Sequence, residues 1–369
     1  MSIQPDAASF EVRRRQAQLA FVASGAELQV GDERHCPLPV AELLALRPDD
    51  SRVEAYFGDG LTGEVLCLRL GEQCWNIKRK LPVARVANVD GQTSFLTEVQ
   101  RRADFTALKA SDSAAFAHIV DTLYASFRHG LIVSPWLAGA PWARYDRDSL
   151  RQLHATLAQM VLAGIFEWDL CPGNVLDDGE KIWLFDFGYC WRFDPLTAVN
   201  SNGLETPLFH PAERFETRNL FSHLLRLEQA GRAAEAVALF RLEKEVALAS
   251  YRQIHHELTA RGAKAAVLAH WSGYCQRWQQ ALATPEGLAD LYLIEGYRSH
   301  LLDVHDDLSG HSCTPMTLLR IAAVEQALRQ HFDLLKANDG LFFGDELRSQ
   351  QQLLALNAEQ AELARRYQL

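Results

Sequence analysis

The stretch WDLCPGNVLDDGEKIWLFDFG, residues 168–188, contains the polar residues that decide the fold. Asp169 precedes Asn174 by five positions, and two short predicted strands, NVLDD and KIWLFDF, carry Asn174 and Asp186. An amide carbonyl and a carboxylate on neighbouring strand ends are hard oxygen ligands of the kind that magnesium takes. Asp169 then remains to orient an attacking hydroxyl group and accept its proton. A plainer interpretation stays open, in which 172–174 is only a turn and Asp186 only caps a strand end.

A glycine pattern lies earlier in the chain, in FGDGLTGEVLCLRL, where Gly58, Gly60 and Gly63 form GxGxxG. The pattern alone is a weak signal, because a dinucleotide-binding fold would place a helix after the third glycine. Here Val65 to Leu70 reads as a strand, so the segment predicts a strand, a glycine turn and a second strand. The backbone of such a flap can approach phosphate groups closely, since glycine has no side chain. A plain hairpin is the alternative.

The next strand, CWNIKRK at residues 74–80, alternates so that Lys78 and Lys80 lie on one face. A lysine buried near phosphates needs a carboxylate to keep it charged and oriented. Glu98, in SFLTEVQRR, follows Lys78 by twenty residues and is the candidate partner. Lys78 is therefore the candidate phosphate lysine and Lys80 the reserve. The alternative partner of Glu98 is Arg102, one turn away on the same predicted helix.

Composition excludes several classes of protein. A chain of 369 residues, 48% hydrophobic and 23% charged, is globular and long enough for two packed units. The net charge of −10 argues against a general nucleic-acid binder, which is usually basic. No apolar run approaches the roughly 18 residues of a membrane helix, and the start lacks a signal pattern, so we expect a cytoplasmic protein without a membrane partner. The seven scattered cysteines form no CxxC pair, which predicts reduced thiols.

Three regions differ in texture. Residues 1–50 form an N-terminal extension, residues 51–138 are predicted to be mostly sheet with one helix, and residues 139–369 become mostly helical. One later helix is predicted to begin at Thr314-Pro315 and stop at 338–340. The sequence therefore predicts an α+β fold.

Together these motifs resemble those of the protein-kinase-like superfamily, which includes eukaryotic-type protein kinases and aminoglycoside- and choline-kinase-like phosphotransferases. The match is to a divergent, bacterial-looking member. The matching residues follow the family's order: Gly58, Gly60, Gly63 and Val65 in the flap, Lys78 on the strand, Glu98 on the helix, Asp169 to Asn174 in the catalytic loop, and Asp186 to Gly188. The resemblance implies a bilobal fold, with a small antiparallel sheet and one key helix in an N-lobe over 51–138. It also implies a mostly helical C-lobe over 139–369, with extra C-terminal helices.

The resemblance also implies ATP and Mg²⁺ as cofactors. Lys78, held by Glu98, would contact the α- and β-phosphates, and Asn174 and Asp186 would bind magnesium. Asp169 would position the acceptor hydroxyl.

Two further segments resemble parts of the family fold. The stretch IVSPWLAG, residues 132–139, resembles the hinge, where Pro135 and Leu137 would meet adenine. ETPLFHPAE, residues 205–213, resembles the end of an activation segment, with Thr206 in its substrate-facing loop and Glu213 as its structural glutamate.

Three departures from the family pattern leave alternatives open. Trp168 replaces the arginine of many regulated kinases, Cys171 replaces a cation that follows the base, and Asn76 replaces a small residue over adenine. Transfer of the γ-phosphoryl group to a protein Ser or Thr is favoured. A small-molecule phosphotransferase and a pseudokinase scaffold are the alternatives, so the expected partner is a protein or small-molecule hydroxyl acceptor.

Overall fold

A computed structural model describes residues 9–86, 88–206 and 208–368. The chain divides into two compact units. The first consists of Met1–Arg144, Gln159–Trp168 and Pro172–Thr206, and the second of Tyr145–Ala158, Asp169–Cys171 and Pro207–Leu369. The N-terminal part contains a small antiparallel sheet and the C-terminal region is mostly helical, which confirms the predicted α+β class and is consistent with a protein-kinase-like fold. The domain boundaries placed at residues 50 and 138 stay predictions.

The main sheet of the first unit has six antiparallel strands in the order β1-β5-β6-β4-β3-β2. Their bounds are β1 Gln29–Gly31, β2 Val53–Phe57, β3 Gly63–Leu70, β4 Gln73–Lys80, β5 Tyr124–Ser126 and β6 Leu131–Pro135. Alternate residues of a strand face opposite sides, so Leu66 and Ile77 enter an apolar core on one face. Val65 of β3 pairs with Lys78 of β4, and each is the sequence neighbour of a residue in the Leu66–Ile77 pair. Val65 and Lys78 therefore lie on the opposite face of the sheet from Leu66 and Ile77. Lys78 thus lies on the face of the sheet opposite the apolar core that contains Leu66 and Ile77.

Three helices accompany this sheet: α1 Phe10–Ser24, α2 Val40–Ala45 and α3 Val89–Ser111. The α3 helix begins where the Asn88 side chain accepts a hydrogen bond from the Gly91 N–H at 2.8 Å, which satisfies a backbone donor of the first turn. Phe95 and Val99 of α3 pack against Ile132 of β6. Because Glu98 lies between these two apolar anchors on the helix, the packing of α3 sets the position of its carboxylate.

Five short strands complete the first unit: β7 Ala140–Pro141, β8 Ile165–Glu167, β9 Val175–Asp177, β10 Ile182–Leu184 and β11 Cys190–Arg192. The predicted strands at NVLDD and KIWLFDF are confirmed as β9 and β10. They pair antiparallel with Val175 opposite Leu184. This register brings Asn174, just before β9, and Asp186, just after β10, to the same end of the pair.

Helices make up the second unit. The α4 helix, Arg147–Leu162, begins in this unit and ends in the first. The others are α5 Pro211–Phe215, α6 Phe221–Gln229, α7 Ala233–Ala260, α8 Ala265–Ala281, α9 Pro285–Gly310, α10 Pro315–Ala337 and α11 Gln350–Arg366. The predicted helix after Thr314 is confirmed as α10, with Thr314 in a capping box and Asn338 at its end. Among the described residues, no helix has both the length and the apolar run needed to cross a bilayer.

A buried charge cluster lies within the second unit around Lys244 of α7. Its ammonium group contacts Glu216 and Glu295 and lies 3.7 Å from Glu243, and the Lys244 side chain is fully buried. Burial disfavours the charged amine, but Glu216 and Glu295 outweigh it and raise the pKa of Lys244. Burial and the neighbouring Glu295 raise the pKa of Glu216 well above its usual range. These helices therefore share an ionic core, whose stability depends on keeping its one lysine.

Candidate active site

Lys78 of β4 is the centre of the candidate site in the first unit. Its Nζ lies 2.6 Å from Glu98 Oε2 and 2.8 Å from Asp186 Oδ2. The Lys78 side chain is only 8% exposed, whereas that of Asp186 is 34% exposed. Three residues that are far apart in the sequence thus meet at one ammonium group, with one of the two carboxylates open to ligand.

Arg102 holds the second oxygen of Glu98. Its Nε and Nη2 donate to Glu98 Oε1 at 3.1 and 2.9 Å. Both partners that the sequence suggested for Glu98 are therefore present at once, one on each carboxylate oxygen. The group holds two cations and two carboxylates, so its buried charges are balanced.

The electrostatics of the group keep Lys78 and Asp186 ionised. Burial works against the ammonium charge, but Asp186 and Glu98 outweigh it and raise the pKa of Lys78. Burial likewise works against the Asp186 carboxylate, but Lys78 outweighs it and holds the pKa of Asp186 below its usual value. At neutral pH the group thus presents an anionic oxygen ligand beside a fixed cation.

The backbone of Asp186 has an uncommon conformation. Its φ of 62° lies in the left-handed region, which costs a residue with a side chain about 1–3 kcal/mol. The conformation directs the carboxylate to Lys78, and the Gly188 backbone N–H bonds to the same carboxylate. Strain of this kind persists only where the surroundings impose it, and it is concentrated at functional sites.

Asn174 lies beside Asp186 in the structure. The backbone carbonyl of Asn174 accepts a hydrogen bond from the Phe185 N–H at 3.3 Å, one residue before Asp186. The backbone places the two residues near one another, and the Asp186 carboxylate is partly exposed while the Asn174 side chain is half-buried. Such hard oxygen donors fit a magnesium ion, which keeps several waters and takes one or two protein ligands.

The glycine flap is the loop between β2 and β3, as the sequence predicted. A Cβ atom on Gly60 would lie 2.1 Å from the Gly63 carbonyl oxygen, so only glycine fits this turn without a backbone shift. A Cβ on Gly63 would lie 2.9 Å from the Arg79 carbonyl oxygen and 3.2 Å from Lys78 Cε. The absent side chain at Gly63 therefore lets the flap pass directly over the stem of Lys78.

The other end of the same sheet contains the predicted hinge. Pro135 ends β6 and pairs with Trp75 of β4, and Leu137 follows it as a half-buried residue. Asn76, the polar departure on β4, donates through Nδ2 to Ser134 Oγ at 3.1 Å. This bond satisfies the amide within the sheet, and contact of Pro135 and Leu137 with adenine stays a prediction.

The reserve lysine lies elsewhere. Lys80 Nζ sits 5.3 Å from the centre of the Phe127 ring, a cation–π contact on the exposed end of β4. Lys78, and not Lys80, is the lysine that pairs with Glu98. Because the two lysines share a strand, Lys80 serves as a matched control for Lys78.

Asp169 belongs to the second unit, where it pairs with an arginine that sequence reasoning missed. Arg218 Nε donates to Asp169 Oδ1 at 3.0 Å, and Arg218 Nη1 contacts Asp303. Burial works against the charge of Arg218, but Asp303 and Asp169 raise its pKa. Arg218 lies in a π-helical segment, Glu216–Leu220, and Asn219 of that segment donates to the Leu170 carbonyl at 3.2 Å. The loop that carries Asp169 is thus anchored by two neighbouring side chains.

The remaining sequence candidates have structural partners. Trp168 donates through Nε1 to Ser201 Oγ at 2.9 Å. Glu213 lies in α5 and pairs with Arg214 at 2.7 Å. The Thr206 carbonyl accepts a hydrogen bond from Asn200. The roles assigned to Thr206 and Glu213 stay predictions.

Comparison with known proteins gives a remote likeness. No protein-family model matches the chain, and no curated protein matches it. Two solved structures of WbdD, one described as a bifunctional kinase-methyltransferase, are 17% identical and have TM-scores of 0.33 and 0.31. The alignments cover 56% of this chain and 50% and 51% of those structures, so the chain spans about half of their length. The function of this chain is therefore inferred from the side chains around Lys78 and not from this likeness.

Proposed function

We propose that this chain is an ATP-dependent phosphotransferase that moves the γ-phosphoryl group of ATP to a hydroxyl group. The observation that carries the proposal is the position of Lys78 Nζ, 2.6 Å from Glu98 and 2.8 Å from the partly exposed Asp186. A cation fixed in this way under a glycine flap suits a triphosphate, whose transfer depends on positioning and charge stabilisation.

Each residue of the group has a distinct task in this proposal. Lys78 binds the α- and β-phosphate oxygens, and Glu98 keeps its ammonium oriented while Arg102 holds the other oxygen of Glu98. Asp186 and Asn174 are the residues that would hold magnesium, which supplies neutralisation of phosphate charge when bound. The flap glycines allow backbone N–H groups to approach phosphate.

Asp169 is proposed as the residue that orients the acceptor hydroxyl and accepts its proton, on the strength of the catalytic-loop motif. Arg218 Nε donates to Asp169 Oδ1 at 3.0 Å, and this contact holds the carboxylate in a fixed orientation. Arg218 also supplies a fixed cation next to the loop in which Cys171 replaces the usual one.

The acceptor is proposed to be a protein Ser or Thr hydroxyl, because ETPLFHPAE resembles an activation segment. A small alcohol is the second candidate, favoured by the PGN of the catalytic loop and by the divergent helices after Glu213.

Transfer of labelled γ-phosphate tests the proposal. The wild-type chain is incubated with Mg²⁺ and labelled ATP, and label is counted on a mixture of proteins and on a panel of small alcohols. We expect Lys78→Met to lower transfer at least about 100-fold, since a charge-stabilising contact of this kind contributes about 2.7–4 kcal/mol in the transition state. Lys80→Met, the matched control on the same strand, should keep the wild-type rate.

A nucleotide-binding measurement separates an enzyme from a scaffold. Asp169→Asn should keep the rise in melting temperature caused by Mg²⁺ and ATP, while transfer stops. A wild-type chain that binds nucleotide and labels neither acceptor class supports the pseudokinase alternative. Wild-type transfer by Lys78→Met would remove the phosphate role of Lys78 and with it the proposal.

A further inference from the structure

Three side chains with metal-binding atoms converge on the main sheet, outside the Lys78 group. Glu54 of β2, Cys67 of β3 and Cys74 of β4 each offer one ligand atom, and these atoms all lie within 4.8 Å of one another. Cys74 Sγ donates to Glu54 Oε2 at 3.5 Å. Cys67 is buried, Cys74 half-buried and Glu54 exposed, so the group opens to solvent at one side.

The sheet register explains how the three residues meet. Cys67 lies opposite Asn76 and Arg69 lies opposite Cys74, so the two thiols are diagonal neighbours on one face. On β2, Val53 pairs with Leu68 and Ala55 pairs with Cys67, which leaves Glu54 as the extra residue of a β-bulge. A bulge redirects a side chain that the regular alternation would place elsewhere. It is this irregularity that adds a carboxylate to the pair of thiols.

The distance between one sulfur and one oxygen of the group matches a tetrahedral metal ion, and the ligand atoms all lie within 4.8 Å of one another. Zinc–sulfur bonds of about 2.3 Å and zinc–oxygen bonds of about 2.0 Å place sulfur and oxygen about 3.5 Å apart at a tetrahedral angle. The distance between Cys74 Sγ and Glu54 Oε2 is 3.5 Å. A disulfide between the thiols fits less well, because diagonal neighbours in a sheet have Cα atoms about 7–8 Å apart, beyond the usual limit of about 6.8 Å.

Charge also favours a divalent cation. Arg69 donates to both oxygens of Glu54, at 2.7 Å on Oε2, and so orients the carboxylate. Once binding has displaced both thiol protons, two thiolates, one carboxylate and one guanidinium carry a net charge of −2, which one divalent ion neutralises.

We propose that Glu54, Cys67 and Cys74 bind one divalent ion of the zinc class, with the fourth position left to water. Two thiolates and a carboxylate are ligands that zinc takes, and three protein ligands with an open position are a known zinc arrangement. Binding forms two metal–sulfur bonds, breaks two S–H bonds and releases two protons, with no change of oxidation state.

Titration of the reduced, full-length chain with Cd²⁺ tests this proposal, because cadmium thiolates give a charge-transfer band in the ultraviolet. We expect one ion per chain in the wild type. The band should be lost in Cys74→Ala, and Glu54→Gln should weaken binding about 10-fold or more, since it removes the charged ligand. Cys36→Ala, another half-buried cysteine, is the matched control and should keep the wild-type titration.

The pH dependence adds a second readout. Because binding releases protons, Cd²⁺ affinity should fall as the pH is lowered. Competition by Zn²⁺ for the bound Cd²⁺ should follow the same order among the variants. Because both readouts are spectroscopic, they are independent of phosphoryl transfer.

Three results would overturn the proposal: no stoichiometric Cd²⁺ binding, binding that survives Cys74→Ala, or a mass lower by two hydrogens on oxidation, which would indicate a disulfide instead. Cys67→Ser is the complementary variant. Should its buried hydroxyl prevent folding, Cys74→Ala and Glu54→Gln decide the outcome, because both positions are accessible to solvent.

Discussion

Substitution of Lys78 should cost little stability, although the residue is buried in a charge group. Lys78→Met removes the ammonium from between Glu98 and Asp186, and Glu98→Gln removes the charge from Glu98. We expect Glu98→Gln to be the more destabilising of the two, while both variants lose phosphoryl transfer.

The contacts of Glu98 determine the magnitudes. Hydrogen bonds to charged groups contribute about 1.5–3 kcal/mol each. After Lys78→Met, however, Glu98 keeps Arg102 at 2.9 and 3.1 Å and Asp186 is one-third exposed, so neither carboxylate is left buried and unpaired. We therefore expect a loss of about 1–2 kcal/mol in the free energy of unfolding.

Glu98→Gln leaves a different residue without its charge partner. Arg102 is 2% exposed, and its other side-chain bond is to Thr122 Oγ1 at 3.2 Å. A buried cation that loses its carboxylate costs about 3–5 kcal/mol. The two variants should thus differ by about 1–4 kcal/mol in the free energy of unfolding, although they break the same Lys78–Glu98 contact.

Urea unfolding followed by circular dichroism measures this difference, with Lys80→Met as the control that should stay within about 0.5 kcal/mol of the wild type. The midpoint is compared at one ionic strength and without nucleotide, because bound ligand would raise the stability of the wild type alone. Equal losses of unfolding free energy in Lys78→Met and Glu98→Gln would refute the inference that buried Arg102 depends on the Glu98 carboxylate as its charge partner.

Three further substitutions test other parts of the structure. Gly60→Ala should weaken nucleotide binding, measured by thermal shift, with little loss of stability, because the new Cβ would lie 2.1 Å from the Gly63 carbonyl oxygen and displace the flap. Gly273→Ala, at an open position in α8, is the control and should leave nucleotide binding unchanged. Lys244→Met should lower the free energy of unfolding by about 3–5 kcal/mol in urea, since it leaves buried carboxylates without their cation. Burial lowers the pKa of His270 to about 4. The unfolded chain, with an ordinary histidine pKa of about 6.5, then binds the extra proton, so stability should fall as pH drops from about 6.5 to about 4 and His270→Leu should flatten that part of the profile.

Local sequence patterns predicted the parts of the site that depend on one strand or one helix. Alternation along β4 placed Lys78 on the face of Val65, and the glycine spacing predicted the turn between β2 and β3. Both follow from short-range geometry, namely the period of a strand and the lack of a glycine side chain. The Lys78–Glu98 pair was predicted because a buried lysine requires a carboxylate partner and Glu98 lies on the next predicted helix.

Contacts that depend on tertiary packing could not be predicted from the sequence. Arg218 lies 49 residues from Asp169, and nothing in its own surroundings marks it as a partner. The only signal was the loss of a cation at Cys171, which implied another cation without naming it. Glu54 was missed for a different reason, since a regular strand reading does not foresee the bulge that turns its side chain towards Cys67.

Lys78 and Lys244 are both buried beside carboxylates, yet the surroundings of the two lysines differ. Lys244 and the glutamates around it are almost entirely shielded from water, with at most 6% of any of these side chains exposed. Lys244 and these glutamates form ion pairs with one another, and a ligand could reach them only if the helices moved apart. Lys78 is shielded to a similar degree, yet its partner Asp186 is 34% exposed and has a left-handed backbone conformation, with a φ of 62°. A buried cation beside a strained, accessible carboxylate can meet an anionic ligand and a metal ion without disrupting the core. Exposure of one partner, rather than burial of the lysine, is therefore the physical difference between the Lys78 group and the Lys244 cluster, and it supports the proposed phosphate role of Lys78.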